Sequence, residues 1–315
     1  MSDKLHLIVP GAVLAPDGGD SAAAPSPLPP NLRALLAGMA TAGRTEADED
    51  SLSEPSEIAT AQALGLPSED GRIPWAAVET GTVGTPCAWV RLCHWRVGAD
   101  HVALVPAQEL ALDEADEQTL LAAMAPYFLE DGIALRPRPG MAGTWLATGE
   151  LFRGLPTLAM ERASTRRLTP TLIDTGGAAA ATLRRLQNEM QMLLYTHPLT
   201  EERQRRGLLP VNSFWVGGAG MLEQPFTPAP HVRVESRLAS PALRGDAAAH
   251  AAAWAQVDAD ACAALLAVLR AGGDAKLTLC GPRAAQTLAP APTGLWPRIQ
   301  RGIGLNPPWN GLEQL

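Results

Sequence analysis

The stretch Cys87–Val105, CAWVRLCHWRVGADHVALV, alternates apolar and polar residues on both sides of VGAD. Period-two alternation interrupted by a glycine-containing tetrapeptide is the pattern of two antiparallel strands joined by a tight turn. Placing Gly98 and Ala99 in the turn pairs Arg96 with His101 and Trp95 with Val102. Cys93, Trp95, Val102 and Leu104 then share a face expected to be core, while His94, Arg96 and His101 share the other. Asp113 caps a following helix through EADEQTLLAAMAPYF, and GIALRPRP with GTWLATGE reads as a second hairpin. The order ββαββ points to an inserted α+β subdomain over residues 85–175.

The flanking segments have a different texture. KLHLIVPG reads as a buried strand, and Asn31 is placed to cap a helix through LRALLAGMATAG. TEADEDSLSEPSE is an acidic, solvated loop in which Ser53 is expected to cap the next helix, SEIATAQALGL, which stops at Gly65. From Ala178 the apolar positions Leu183, Leu186, Met190 and Leu193 fall three, four and three apart, so this segment is an amphipathic helix. His197-Pro198 breaks it, and Thr200 is expected to cap a short helix ending at Gly207. VNSFWV and HVRVES read as strands, with WVGGAG as a tight turn at the end of the first. The alanine-rich run Asp246–Ala271 reads as one long helix and AKLTLCG as a final strand. These pieces predict an α/β fold: a mostly parallel central sheet with helices on both faces, built from residues 1–84 and 176–315.

Composition narrows the function. A net charge of −8 without a Lys/Arg stripe disfavours nucleic acid. LHLIVPGAVLA is too short to span a membrane and is cut by Pro10 and Gly11, which favours a strand over a signal peptide. Cys87, Cys93, Cys262 and Cys280 form no CxxC or zinc spacing, the pattern of reduced thiols in a cytoplasmic protein.

The stretch His197–Gly220, HPLTEERQRRGLLPVNSFWVGGAG, resembles a segment of the cofactor-independent phosphoglycerate mutases, archaeal type, of the alkaline phosphatase superfamily. That segment has the form H-P-V-N-x-x-R-x-x-x-G-x-x-P-A-N. His197, Pro198, Arg203, Gly207, Pro210 and Asn212 keep it, with Thr200 in place of the first asparagine. PSEIATAQALGL resembles the nucleophile helix of that family, placing Ser56 at the nucleophile position. GRIPWAA and HVRVESRLASPALRG resemble further pieces. The likeness extends to a divergent bacterial RpfE-type regulatory branch.

The resemblance implies phosphoryl transfer through a phosphoserine clamped by two divalent metals, and so about six or seven carboxylate and imidazole ligands. This chain departs from the family at those positions. Pro10-Gly11 stands for an Asp-Gly, Thr60 for a histidine and Cys280-Gly281 for an Asp-His. Neither proline nor glycine offers a ligand, and a neutral thiol suits a hard-metal site poorly. Asp246 and His250 keep a D-x-x-x-H spacing, read here as a helix cap beside an exposed histidine.

The expectation is a non-catalytic mutase-like protein with a binding or regulatory role, holding neither cofactor nor metal. Ser56 marks the former nucleophile position. Arg203, Asn212, His94, Arg96 and His101 are the candidate residues for a small phosphate or carboxylate ligand, although a solvated sheet face also accounts for the last three. Arg203 is expected to be buried or ligand-facing, and Asn212 can serve the backbone instead. The rival is an active metal-dependent mutase or phosphatase using Ser56 with a rebuilt site. A third reading is an interaction module that meets a protein partner through the tryptophan-rich tail. Neither nucleic acid nor membrane is an expected partner.

Overall fold

The computed structural model describes residues 4–14, 27–48, 50–97, 102–165, 177–291 and Leu315. The chain divides into two compact units. One comprises Met1–Glu49, Glu54–Ser68 and Pro228–Leu315, the other Asp50–Ser53 and Glu69–Thr227. The protein is α/β, with one five-stranded sheet in each unit.

In the first unit β1 (Lys4–Val9) lies between β8 (Val232–Val234) and β9 (Asp274–Cys280) and pairs parallel with both. β10 (Ala284–Pro290) returns antiparallel against β9, and β2 (Met39–Glu46) closes the edge antiparallel to β10. The sheet is therefore parallel in one half and antiparallel in the other, and the antiparallel half is made by the two strands that local pattern does not announce. Met39–Gly43 falls in the segment expected as helix and Thr45–Glu46 in the acidic loop, and Ala284–Pro290 largely precedes the tail from Ala289. Both β2 and β10 are rich in alanine and threonine, and β2 is mostly exposed, so neither shows clear apolar alternation.

Helices cover both faces, as the buried centre of β1 requires. Leu7 and Val9 meet α1 (Pro30–Gly38) and the long helical run in one core, while Ile8 meets Ala59 of α2 (Pro55–Leu64) on the other side. Neither cap expected here is used. The side chain of Asp258 receives Asn31 N at 3.2 Å and Leu32 N at 2.7 Å, so an acid from a distant helix satisfies the orphan donors of α1. Glu54 and Glu57 form a reciprocal capping box on α2, with Pro55 in its first turn. Ser53 instead accepts from Gly71 N.

The alanine-rich run is interrupted. After α8 (Ala239–Leu243), α9 (Ala247–Val257) gives way to one π turn over Asp258–Cys262, and α10 (Ala263–Arg270) completes it. Ala247–Arg270 is long and apolar enough to cross a membrane by composition. Its Trp254, Val257, Leu265 and Leu266 pack in the core of this unit.

The second unit contains the expected ββαββ order: β3 (Cys87–Val97), β4 (Val102–Pro106), α4 (Glu114–Glu130), β5 (Ala134–Pro137) and β6 (Thr144–Thr148). Its extent differs from 85–175. β7 (Ser213–Gly220) pairs antiparallel with β3, and Leu186, Met190 and Leu199 of α6 (Gly177–Tyr195) and α7 (Pro198–Arg205) share its core. α3 (Trp75–Thr80) and α5 (Met160–Thr165) complete the unit. In the β3–β4 hairpin, Val97 pairs with Val102 and Trp95 with Leu104, two residues out of the expected register. A two-residue slip preserves the faces, and Cys93 and Leu104 are core as expected.

The glycines of WVGGAG lie inside β7 rather than in a turn. A Cβ on Gly220 would come within 2.7 Å of Pro74, and one on Gly218, at φ +61, within 3.0 Å of Trp75. Glycine is required there so that α3 can approach the strand.

Candidate functional site

Three of the candidate ligand residues share one task. Arg203, near the end of α7, is buried together with Asp116 of α4, their side chains 1% and 4% exposed. Its Nη1 donates to Asp116, its Nη2 to the Leu110 carbonyl, and its Nε to the Leu209 carbonyl at 3.0 Å. All three guanidinium nitrogens are thus engaged within the protein. Asn212 imitates a backbone ladder: its Oδ1 accepts from Trp95 N at 2.7 Å and its Nδ2 donates to Trp95 O at 2.9 Å. His94 Nδ1–H donates to the Pro210 carbonyl at 2.8 Å. These side chains clamp the segment 209–212 that feeds β7, giving them a structural role.

The remaining candidates are scattered. Arg96 is exposed opposite Ala103, and His101 lies outside the described residues. Ser56 is half-buried in the first turn of α2. His197, not Thr200, caps α7 by accepting from Leu199 N, and the Thr200 hydroxyl donates to the Leu194 carbonyl.

The positions that carry metal ligands in the resembled family lie in the first unit, several at the carboxyl ends of β1 and β9. Gly11, at φ +71, faces the Leu238 carbonyl and Ala242, and a Cβ there would come within 2.8 Å of that carbonyl. Gly281 faces Leu315 and Val13, with a Cβ position 2.5–2.7 Å from their atoms. Leu315 is itself buried, and its carbonyl accepts from Arg283 N and Ala284 N. Burial first, then the charge of Glu54, pushes the Cys280 thiol far up, so it stays neutral. Thr60 is buried in α2.

Asp246 caps α9 as expected, accepting from Ala249 N, but His250 is buried rather than exposed. Its Nε2–H donates to the Gly11 carbonyl at 2.8 Å, and Trp254 Nε1 donates to Ala12 O. Both therefore hold the turn after β1. Among the described residues, no three His, Cys, Asp or Glu side chains are grouped as a metal ion would need.

One polar constellation was missed by sequence reading because it spans three strands. His6 Nε2 meets Thr278 Oγ1 at 2.8 Å, which meets Thr287 Oγ1 at 2.8 Å. Burial, aided by Lys276 and His231 and opposed by Asp274, lowers the His6 pKa to about 4. The unfolded chain therefore binds a proton near pH 6.5 that the folded chain refuses. His6 costs no stability above pH 6.5, and stability falls as pH drops from 6.5 towards about 4. Comparing urea midpoints at pH 7.5 and 4.5 should show a smaller acid loss in His6→Gln than in the wild type.

No protein-family model and no curated protein matches the chain. Among solved structures, a cofactor-independent phosphoglycerate mutase from Thermoplasma acidophilum DSM 1728 aligns over 93% of this chain and 91% of its own. The identity is 16% and the TM-score 0.34, a distant structural similarity.

Proposed function

We propose that this chain is a non-catalytic, mutase-like protein whose role is binding or regulation. The observation that carries the reading is the filled space at the carboxyl ends of β1 and β9. Where a two-metal site needs converging oxygen and nitrogen ligands, Gly11 and Gly281 are packed against Leu238, Ala242, Val13 and Leu315. Cys280 is buried and neutral, and the His250 Nε2 proton is committed to a backbone carbonyl. Arg203 and Asn212, which keep the resembled motif, support the β7 segment instead of facing a ligand.

The test is interconversion of 2- and 3-phosphoglycerate by the full chain with added manganese. The expected result is no turnover above that of the Ser56→Ala variant. Turnover that Ser56→Ala abolishes would establish the enzyme reading and overturn this one.

A further inference from the structure

One face of the sheet in the second unit has an unmet demand for hydrogen-bond acceptors. Trp89 and Arg91 of β3 share that face with Thr144 of β6 and with Ser213 and Trp215 of β7. Trp89 Nε1, Arg91 Nε, Thr144 Oγ1 and Ser213 Oγ are shielded from solvent there and have no hydrogen-bond partner among the described residues. The same holds for Trp75 Nε1 of α3, which packs against β3 and β7. Indole and guanidinium N–H groups only donate, and a hydroxyl can donate, so acceptors would satisfy every one of these groups. Orphaned buried donors are rare in folded proteins. On the opposite face Gln187 donates to the Phe214 carbonyl and Trp145 to Glu117.

The demand is greatest at Arg91, which lies directly across the ladder from Thr144. Its Nη1 approaches Glu161 only to 3.8 Å, and that carboxylate is 54% exposed, so the pair is weak.

We propose that Arg91 and Thr144 bind a small oxyanion, the phosphate or carboxylate group of a metabolite, which takes Arg91 from Glu161. The anion would supply the acceptors that Arg91 Nε and Thr144 Oγ1 lack. This site lies on the opposite face of β3 from His94 and Arg96. It stands independently of the proposed lack of catalysis.

Thermal unfolding of the full chain in increasing inorganic phosphate, against chloride at equal ionic strength, tests it. The melting temperature should rise with phosphate along a single-site curve. Arg91→Met should weaken the apparent affinity by about ten- to a hundredfold, and the near-isosteric Thr144→Val by about five- to tenfold. Thr144→Val keeps the test usable if Arg91→Met fails to fold. Glu161→Gln should tighten the response. A wild type indifferent to phosphate, or a rise that both Arg91→Met and Thr144→Val retain, would overturn the site. Neither result bears on turnover of phosphoglycerate, so this proposal and the previous one fail separately.

Discussion

Replacing Arg203 by methionine should lower the unfolding free energy of the second unit by about 3–5 kcal/mol. The guanidinium is buried against Asp116 and also satisfies two carbonyls, at Leu110 and Leu209. Methionine fills much of the same volume but leaves the carboxylate facing Arg206 alone, at 3.6 Å, and two carbonyls unmet. The loss therefore comes mainly from the stranded partner. The double variant Arg203→Met with Asp116→Leu should recover most of it, because a buried ion pair contributes little beyond an apolar pair of similar size. Urea unfolding of the wild type, both single variants and the double variant measures this directly. If Arg203 serves a ligand instead, Arg203→Met will change stability by less than about 1 kcal/mol, the range of a dispensable surface residue.

Replacing Gly11 by alanine should cost about 2–5 kcal/mol in the first unit. Two effects add. A side chain at φ +71 pays about 1–2 kcal/mol in the left-handed region, and overpacking a filled interior costs about 1–3 kcal/mol. The new methyl would sit 2.8 Å from the Leu238 carbonyl and 3.0 Å from Ala242. Shifting that turn would also disturb the Gly11 carbonyl that receives His250. The comparison is Gly65→Ala, where φ is +74 but nothing lies within 4 Å of the new carbon. That variant should show only the backbone cost. Equal losses in the two would mean that the space beside Gly11 is open, removing the main support for a closed site.

Much of the fold was legible from local pattern. The amphipathic spacing from Leu183 to Leu193, the alternation around VGAD and the Asp113 cap are properties of neighbouring residues; the helix and the cap appear where expected, and the two strands pair with a two-residue shift. What was missed depends on partners far away in sequence. The donors of α1 are met by Asp258, the glycines of β7 are explained by Pro74 and Trp75, and β2 is a strand because β10 lies beside it. The site was legible only as alternatives: Arg203 as buried or ligand-facing, and Asn212 as bonded to backbone or to a ligand. Neither the motif that holds Arg203 and Asn212 nor the alternation that places His94 distinguishes a group that holds a ligand from one that holds a loop. Only the carbonyls of Leu209 and Pro210 and the backbone of Trp95 decide it.

Equilibrium dialysis against manganese, with metal content read per chain, tests most directly whether the carboxyl ends of β1 and β9 are closed. A site packed with leucine, valine and alanine should leave the protein with essentially no bound ion. Retention of about two divalent ions per chain, the stoichiometry of a two-metal phosphoryl-transfer centre, would contradict it.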